Sequence, residues 1–170
     1  QEQKKIESEE EKIKVEKEKP KEWYSKFRWF FSSEGFLVVG GRDATTNEIL
    51  IKKHLSPEDI VFHTDAPGSP FFVIKSGGKA PGEATIAEAG QAVVSYSKIW
   101  AKGLTSASVF YASPDQVTKE TPSGEYIKKG SFMVTGKRTY IEPKAGICIG
   151  MYNEHVVGAP ESAVKKYSKM

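Results

Sequence analysis

The sequence predicts an α+β domain, a mixed β-sheet packed by a long central helix and shorter helices, with an N-terminal charged helix left from a coiled coil. Three observations carry this. Short apolar runs such as Phe36-Leu37-Val38-Val39 and Phe71-Phe72-Val73-Ile74 read as buried strands. One alanine-rich stretch, 83–102, repeats apolar residues at three- and four-residue steps. Strands and helices mix without regular βαβ alternation.

The chain has 170 residues, enough for one domain with a real core. No apolar run approaches the ~20 residues of a membrane span. The N-terminus is Lys/Glu-rich and carries no apolar signal segment. The single cysteine, Cys148, excludes an internal disulfide framework and a multi-cysteine zinc site. The expectation is a soluble, intracellular, cytoplasmic protein without membrane association.

Residues 1–21 hold seven Lys and seven Glu, so the net +3 belongs entirely to 22–170. That excess supports nucleic-acid binding only if the cations gather on one face. Two parts follow: a charged helical linker or coiled-coil end at 1–21, and a globular domain at 22–170. Within 1–19 only Ile6, Ile13 and Val15 are apolar. This segment reads either as a polar helix or as a solvated tail, and Pro20 ends it.

In Trp23-Tyr24-Ser25-Lys26-Phe27-Arg28-Trp29-Phe30-Phe31, helical and alternating spacings overlap. The reading is a short helical turn, then a strand from about 28. Ser32-Ser33-Glu34-Gly35 turns the chain into the next strand, making a hairpin. Gly40-Gly41-Arg42-Asp43 closes it, and Asp43, Thr45 or Thr46 can cap the following helix. Asp59–His63 and Phe71–Ile74 are strands around a loop at 64–70. The long helix spans about 83–102, stopped by Gly103. Strands then follow at 106–111, 132–134, 147–151 and 156–158, before a short basic helix at 160–169.

Three places could carry chemistry. At Gly40-Gly41-Arg42-Asp43, a glycine pair allows close backbone approach and a helix N-terminus favours an anion, with Arg42 adding a charged fork. The competing reading is a tight turn with Arg42 paired to a neighbouring acid. No Gly-Lys-Ser/Thr is present, which excludes a P-loop.

His63 and Asp65 sit two apart at a strand end, a spacing open to acid/base work. A catalytic metal normally takes three protein ligands, and no second His or Cys lies nearby. Structural or RNA-contacting roles are the alternative.

Residues 117–141 place Lys119, Lys128, Lys129, Lys137 and Arg138 against Glu120 and Glu125, with Tyr126, Phe132 and Tyr140 interleaved. Cations neutralise phosphates and exposed rings stack on unpaired bases, unless the rings face the core. Neither a Gly-x-Ser-x-Gly elbow nor a histidine beside Cys148 supports a nucleophile.

The ordered strings Trp29–Phe36, Gly40–Ala44 with Asn47-Glu48, Asp59–His63, Ala87–Gly90, Pro122–Tyr126, Gly130–Met133 and Gly136–Arg138 resemble the NFACT-R domain, in its archaeal form. The match spans about 22–143. NFACT-R is the RNA-binding domain of the NFACT, or NEMF-like, ribosome quality-control proteins, whose bacterial relatives were often labelled fibronectin-binding proteins.

The resemblance implies a non-enzymatic, cofactor-free and metal-free module. Its implied partners are RNA (tRNA or rRNA), the large ribosomal subunit, and the coiled coil and N-terminal domain of the full-length protein. Gly40, Gly41, Arg42, Asp43, His63, Asp65, Tyr126, Lys128, Lys129, Lys137, Arg138 and Tyr140 are the expected RNA-facing residues. Many members carry a second loop histidine where Pro67 stands here, which removes a proton-transfer partner. Two further readings are a protein-docking module using the aromatic segment 23–31, and a hydrolase at His63 and Asp65.

Overall fold

The computed structural model describes residues 21–167. The N-terminal charged helix expected at 1–19 lies outside them. A 3₁₀ turn at Trp23–Lys26 leads into β1 (Arg28–Phe31), as the aromatic spacing suggested. β2 (Leu37–Gly40) returns antiparallel, pairing Arg28 with Gly40 and Phe31 with Leu37. Helix α1 (Ala44–Lys53) then crosses to β3 (Ile60–His63), and β4 (Phe72–Lys75) inserts between β2 and β3.

Helices α2 (Glu83–Ser95) and α3 (Lys98–Ala101) precede β5 (Val109–Ala112). A small ribbon, β6 (Val117–Thr118) with β7 (Met133–Val134), leads to β8 (Thr139–Ile141). The hairpin β9 (Cys148–Tyr152) and β10 (His155–Ala159) follows, and α4 (Glu161–Tyr167) ends the described chain.

The main sheet has six strands in the order β1-β2-β4-β3-β5-β8. Every pairing in it is antiparallel, so the expected mixed sheet is corrected. The α1 crossover does not bring a strand back parallel beside β2, because β4 takes that place. The expected long helix is also two helices. Ser97 donates its hydroxyl to the Val94 carbonyl (2.7 Å) and accepts from the Ile99 N–H (3.2 Å), so it ends one helix and caps the next.

Both faces of the sheet are covered, which explains why Phe72-Val73-Ile74 is buried at every position rather than at alternate ones. On one face Phe30, Val38, Phe62, Phe72 and Ile74 pack beneath Val93 of α2 and Val164 of α4. On the other, Val39, Val61, Val73 and Phe110 meet Phe27, Leu50 and Val134. Among the described residues no helix is long and apolar enough to cross a membrane.

Two devices fix the loops. The β1–β2 loop grips the start of α2: Ser32 and Thr85 share a hydrogen bond (2.9 Å), the Ser33 N–H donates to Glu88 (2.8 Å), and Glu34 accepts from the Thr85 N–H (2.9 Å). Gly82 leaves room for this, since a Cβ there would push the Glu34 carboxylate out of its place. On the opposite face, Glu48 of α1 receives Lys52 (2.7 Å), Lys119 (2.8 Å) and the Gly130 N–H (2.7 Å). Burial raises the Glu48 pKa, but these hydrogen bonds outweigh it and bring the group down to about 2.

Two predictions follow from this packing. Glu48 stabilises the fold fully above pH 4.5, its ordinary value, and its contribution is lost as pH falls toward 2. Glu48→Gln should therefore flatten the acid limb of a stability-versus-pH curve in that window, and an unchanged limb would refute the assignment. A Cβ on Gly40 would penetrate the Phe72 ring opposite it in the ladder. Gly40→Ala should cost about 1–3 kcal/mol in chemical denaturation. In combination with Phe72→Leu, a coupling of at least ~0.5 kcal/mol is expected; strict additivity would mean that the contact is not the reason for the glycine.

Candidate nucleic-acid interface

Strand β3 delivers His63 and the 64–70 loop to one end of the sheet, where β2 delivers Gly41 and Arg42. The loop before β7 brings Lys129 and Gly130 to the same place, and Lys98 arrives from the first turn of α3. Together these segments enclose a groove of about 570 Å³. Four stretches far apart in sequence thus share one surface.

The groove is cationic. Arg28, Arg42, Lys98 and Lys129 line it, against Asp43 and Asp65. Asp43 is committed to α1: its carboxylate accepts from the Thr46 N–H (2.8 Å), while the Thr46 hydroxyl oxygen accepts from the Arg42 and Asp43 N–H groups. The hydrogen bonds that Asp43 accepts, first of all from the Thr46 N–H and then from the Thr46 hydroxyl, hold its carboxyl below the usual range. The capping box therefore takes the Thr46 N–H, one of the amides that an anion at this helix end would use, together with the Arg42 and Asp43 N–H groups.

Asp65 is likewise engaged. Arg138 donates to it (2.7 Å), as does the Tyr140 hydroxyl (3.2 Å). Arg138 also donates to the Val134 carbonyl and lies over the Phe110 ring, 4.5 Å from its centre. Its charge is thus partly spent inside the protein. Among the described residues, Arg42, Lys98 and Lys129 have no carboxylate in salt-bridge contact.

Arg28, Lys98 and Tyr96 are groove residues that the sequence reading missed. Arg28 donates to the Gly41 carbonyl (2.6 Å) and stacks on Tyr96 at 4.4 Å. Burial lowers its pKa, and nearby Arg42 acts in the same sense. The signal was weak: the hairpin register alone places Arg28 opposite Gly40, at the mouth of the Gly-Gly turn. Lys98 follows the helix break, which the sequence periodicity concealed.

The glycine pair has internal causes. Gly40 faces Phe72, and a Cβ on Gly41 would collide with the Asn47 amide, whose oxygen accepts from the Phe71 N–H (3.2 Å). Gly40 does not line the groove, whereas Gly41, Arg42, Asp43, His63, Asp65 and Lys129 do. Arg138 and Tyr140 stand at its rim through Asp65. Lys128 and Lys137 are exposed outside it. Tyr126, 87 % exposed, lies in a neighbouring hollow with Lys52, Lys119 and Lys129.

His63 stacks on Phe71 at 3.9 Å, and its Nδ1 lies 3.1 Å from the Pro70 carbonyl, not on Asp65. Burial lowers its pKa, favouring the neutral ring. Among the described residues no cluster of three His, Cys, Asp or Glu could hold a metal. The aromatic segment at 23–31 is also internal for the most part: Phe27 and Phe30 are buried, and Trp29 and Phe31 pack edge-on and tilted against Tyr152. Trp23 stacks on His54 at 4.3 Å.

Residues 26–136 match the family model described as the NFACT protein RNA binding domain. The chain is 45% identical over 129 residues to the archaeal Rqc2 homolog aRqcH of Methanocaldococcus jannaschii, covering 76% of this chain and 19% of that protein. It is 40% identical over 132 residues to the ribosome quality control complex subunit NEMF homolog of Drosophila melanogaster, covering 76% and 13%. With human NEMF the identity is 43% over 123 residues, covering 71% and 11%. The chain therefore spans a fifth or less of the length of these curated relatives.

The C-terminal part of the fibronectin/fibrinogen-binding protein from Streptococcus suis shares the fold, with a TM-score of 0.62, 16% identity, and coverage of 89% of this chain and 52% of that one. By the family match, and in agreement with the ordered motifs, the chain belongs to the NFACT RNA-binding domain family, in its archaeal form.

Proposed function

We propose that this domain is a non-enzymatic RNA-binding module of a ribosome quality-control factor, and that its RNA is tRNA or rRNA on the large ribosomal subunit. In the full-length protein a coiled coil, ending in the charged segment 1–21, would join the domain at 22–170 to an N-terminal partner domain in the cytoplasm. One observation carries the reading: Arg42, Lys98 and Lys129 converge from separate elements on a single groove, with no carboxylate in salt-bridge contact among the described residues. The names of the relatives support it.

Arg42, Lys98 and Lys129 contact phosphates in this scheme, with Arg28 adding field from the groove floor. Lys128, Lys137 and Tyr126 extend the contact beyond the groove, and Tyr126 offers an exposed ring to an unpaired base. Asp65 holds Arg138 and Tyr140 at the rim, and His63 shapes the loop that carries Asp65. Gly40, Gly41 and Asp43 build the turn that presents Arg42.

Binding of the whole chain to tRNA, followed by fluorescence anisotropy across a salt series, tests this. Three phosphate contacts give a log–log slope of about −2 to −3. Each of Arg42→Ala, Lys98→Ala and Lys129→Ala should flatten it by about 1, whereas Lys137→Ala should do less. Salt-independent binding, or a triple variant indistinguishable from the parent, would overturn the proposal.

A further inference from the structure

A second and larger depression, of about 940 Å³, lies at the other end of the central strands. Strand β3 begins at this one with Ile60 and ends at the cationic groove with His63. Its floor is apolar: Ile60, Ile86 and Tyr111 are partly exposed side chains that pack against the α2-side core. Its rim is acidic, with Glu58, Glu83 and Glu142 exposed around it and, among the described residues, Lys79 the one cation in its lining. Among the described residues none of these three carboxylates is in a salt bridge. Elsewhere the chain is net basic, so this rim stands against the overall charge.

An apolar floor of this size suits side chains removed from water, and a net-negative rim repels a polyanion while attracting Lys and Arg. We propose that this depression docks a short basic segment of a partner protein, with apolar side chains seated on Ile60, Ile86 and Tyr111 and cationic ones on Glu58, Glu83 and Glu142. The two ends of the sheet then select opposite chemistries. Polyanions are drawn to the His63 end and basic peptides to the Ile60 end, so the two ligands take separate sites on the protein. The inference does not depend on the RNA reading.

The test is selection of random dodecapeptides displayed on phage against the whole 170-residue chain, followed by titration of a synthetic winner into the ¹⁵N-labelled protein. Enriched sequences should combine two or more Lys/Arg with apolar residues, and the peptide should shift the amides of Ile60, Ile86 and Tyr111. The surface variant Glu83→Lys with Glu142→Lys, which leaves the core untouched, should weaken binding at least tenfold. Lys98→Ala, in the opposite groove, should leave it unchanged. Absence of enrichment, acidic winners, shifts confined to another surface, or indifference to the charge reversal would overturn the proposal. So would occupation of these same residues by a second copy in sedimentation, or by residues 1–20, seen as binding that appears only when they are deleted.

Discussion

The grip of the β1–β2 loop on the first turn of α2 is the constraint on which the rest of the structure depends. A helix presents free N–H groups at its start, and here Gly82 supplies no side chain to satisfy them. Glu34, reaching from a different layer, takes that part, and the Ser32–Thr85 and Ser33–Glu88 bonds fix the angle. Glu88 in turn receives the Ser162 hydroxyl (2.7 Å), which ties α4 to the same point. The helical layer is thus located by polar contacts, while the apolar faces of α2 and α4 supply the burial. Once α2 is placed, its end at Ser95 sets where Tyr96 and Lys98 emerge beside Arg28.

Several strings that characterise the family are accounted for by folding alone. Ser32-Ser33-Glu34-Gly35 clasps a helix. Gly40 and Gly41 make room for Phe72 and Asn47, and Asp43 closes a capping box. Gly130, with φ +79°, rests against the backbone of Ala44 while its amide meets Glu48. The charged groups that face solvent are carried by these fixed points. Most motif residues therefore hold the scaffold, while Arg42 within one motif and Lys129 beside another face solvent.

The strands and the hairpin were legible because burial on two faces leaves uninterrupted apolar runs, as at Phe72–Ile74. Asp43 was legible as a cap because its side chain and the following threonines carry the signal locally. What escaped was set by long-range placement. The insertion of β4 beside β2 makes the sheet antiparallel, and nothing local encodes it. The helix break at Ser97 hid within a stripe whose periodicity continues across it. At the site, Arg42, His63, Asp65 and Lys129 could be named, but their meeting could not. Arg138 looked like a free cation because its partner is 73 residues away in sequence. Arg28 looked like an interruption in an aromatic strand.

The groove cations are crowded before anything binds. Burial lowers the affinity of Arg28 for a proton and Arg42 acts in the same sense, while Lys129 sits close enough to act on Asp43. Glu48, through the Gly130 N–H, and the capping box fix the backbone from which Lys129 and Arg42 project, so their charges stay in one neighbourhood. Dissolved electrolyte consequently has two opposed effects on the molecule: it shields like charges from one another and so favours the unliganded fold, and it competes for the same sites and so loosens the grip on any polyanion.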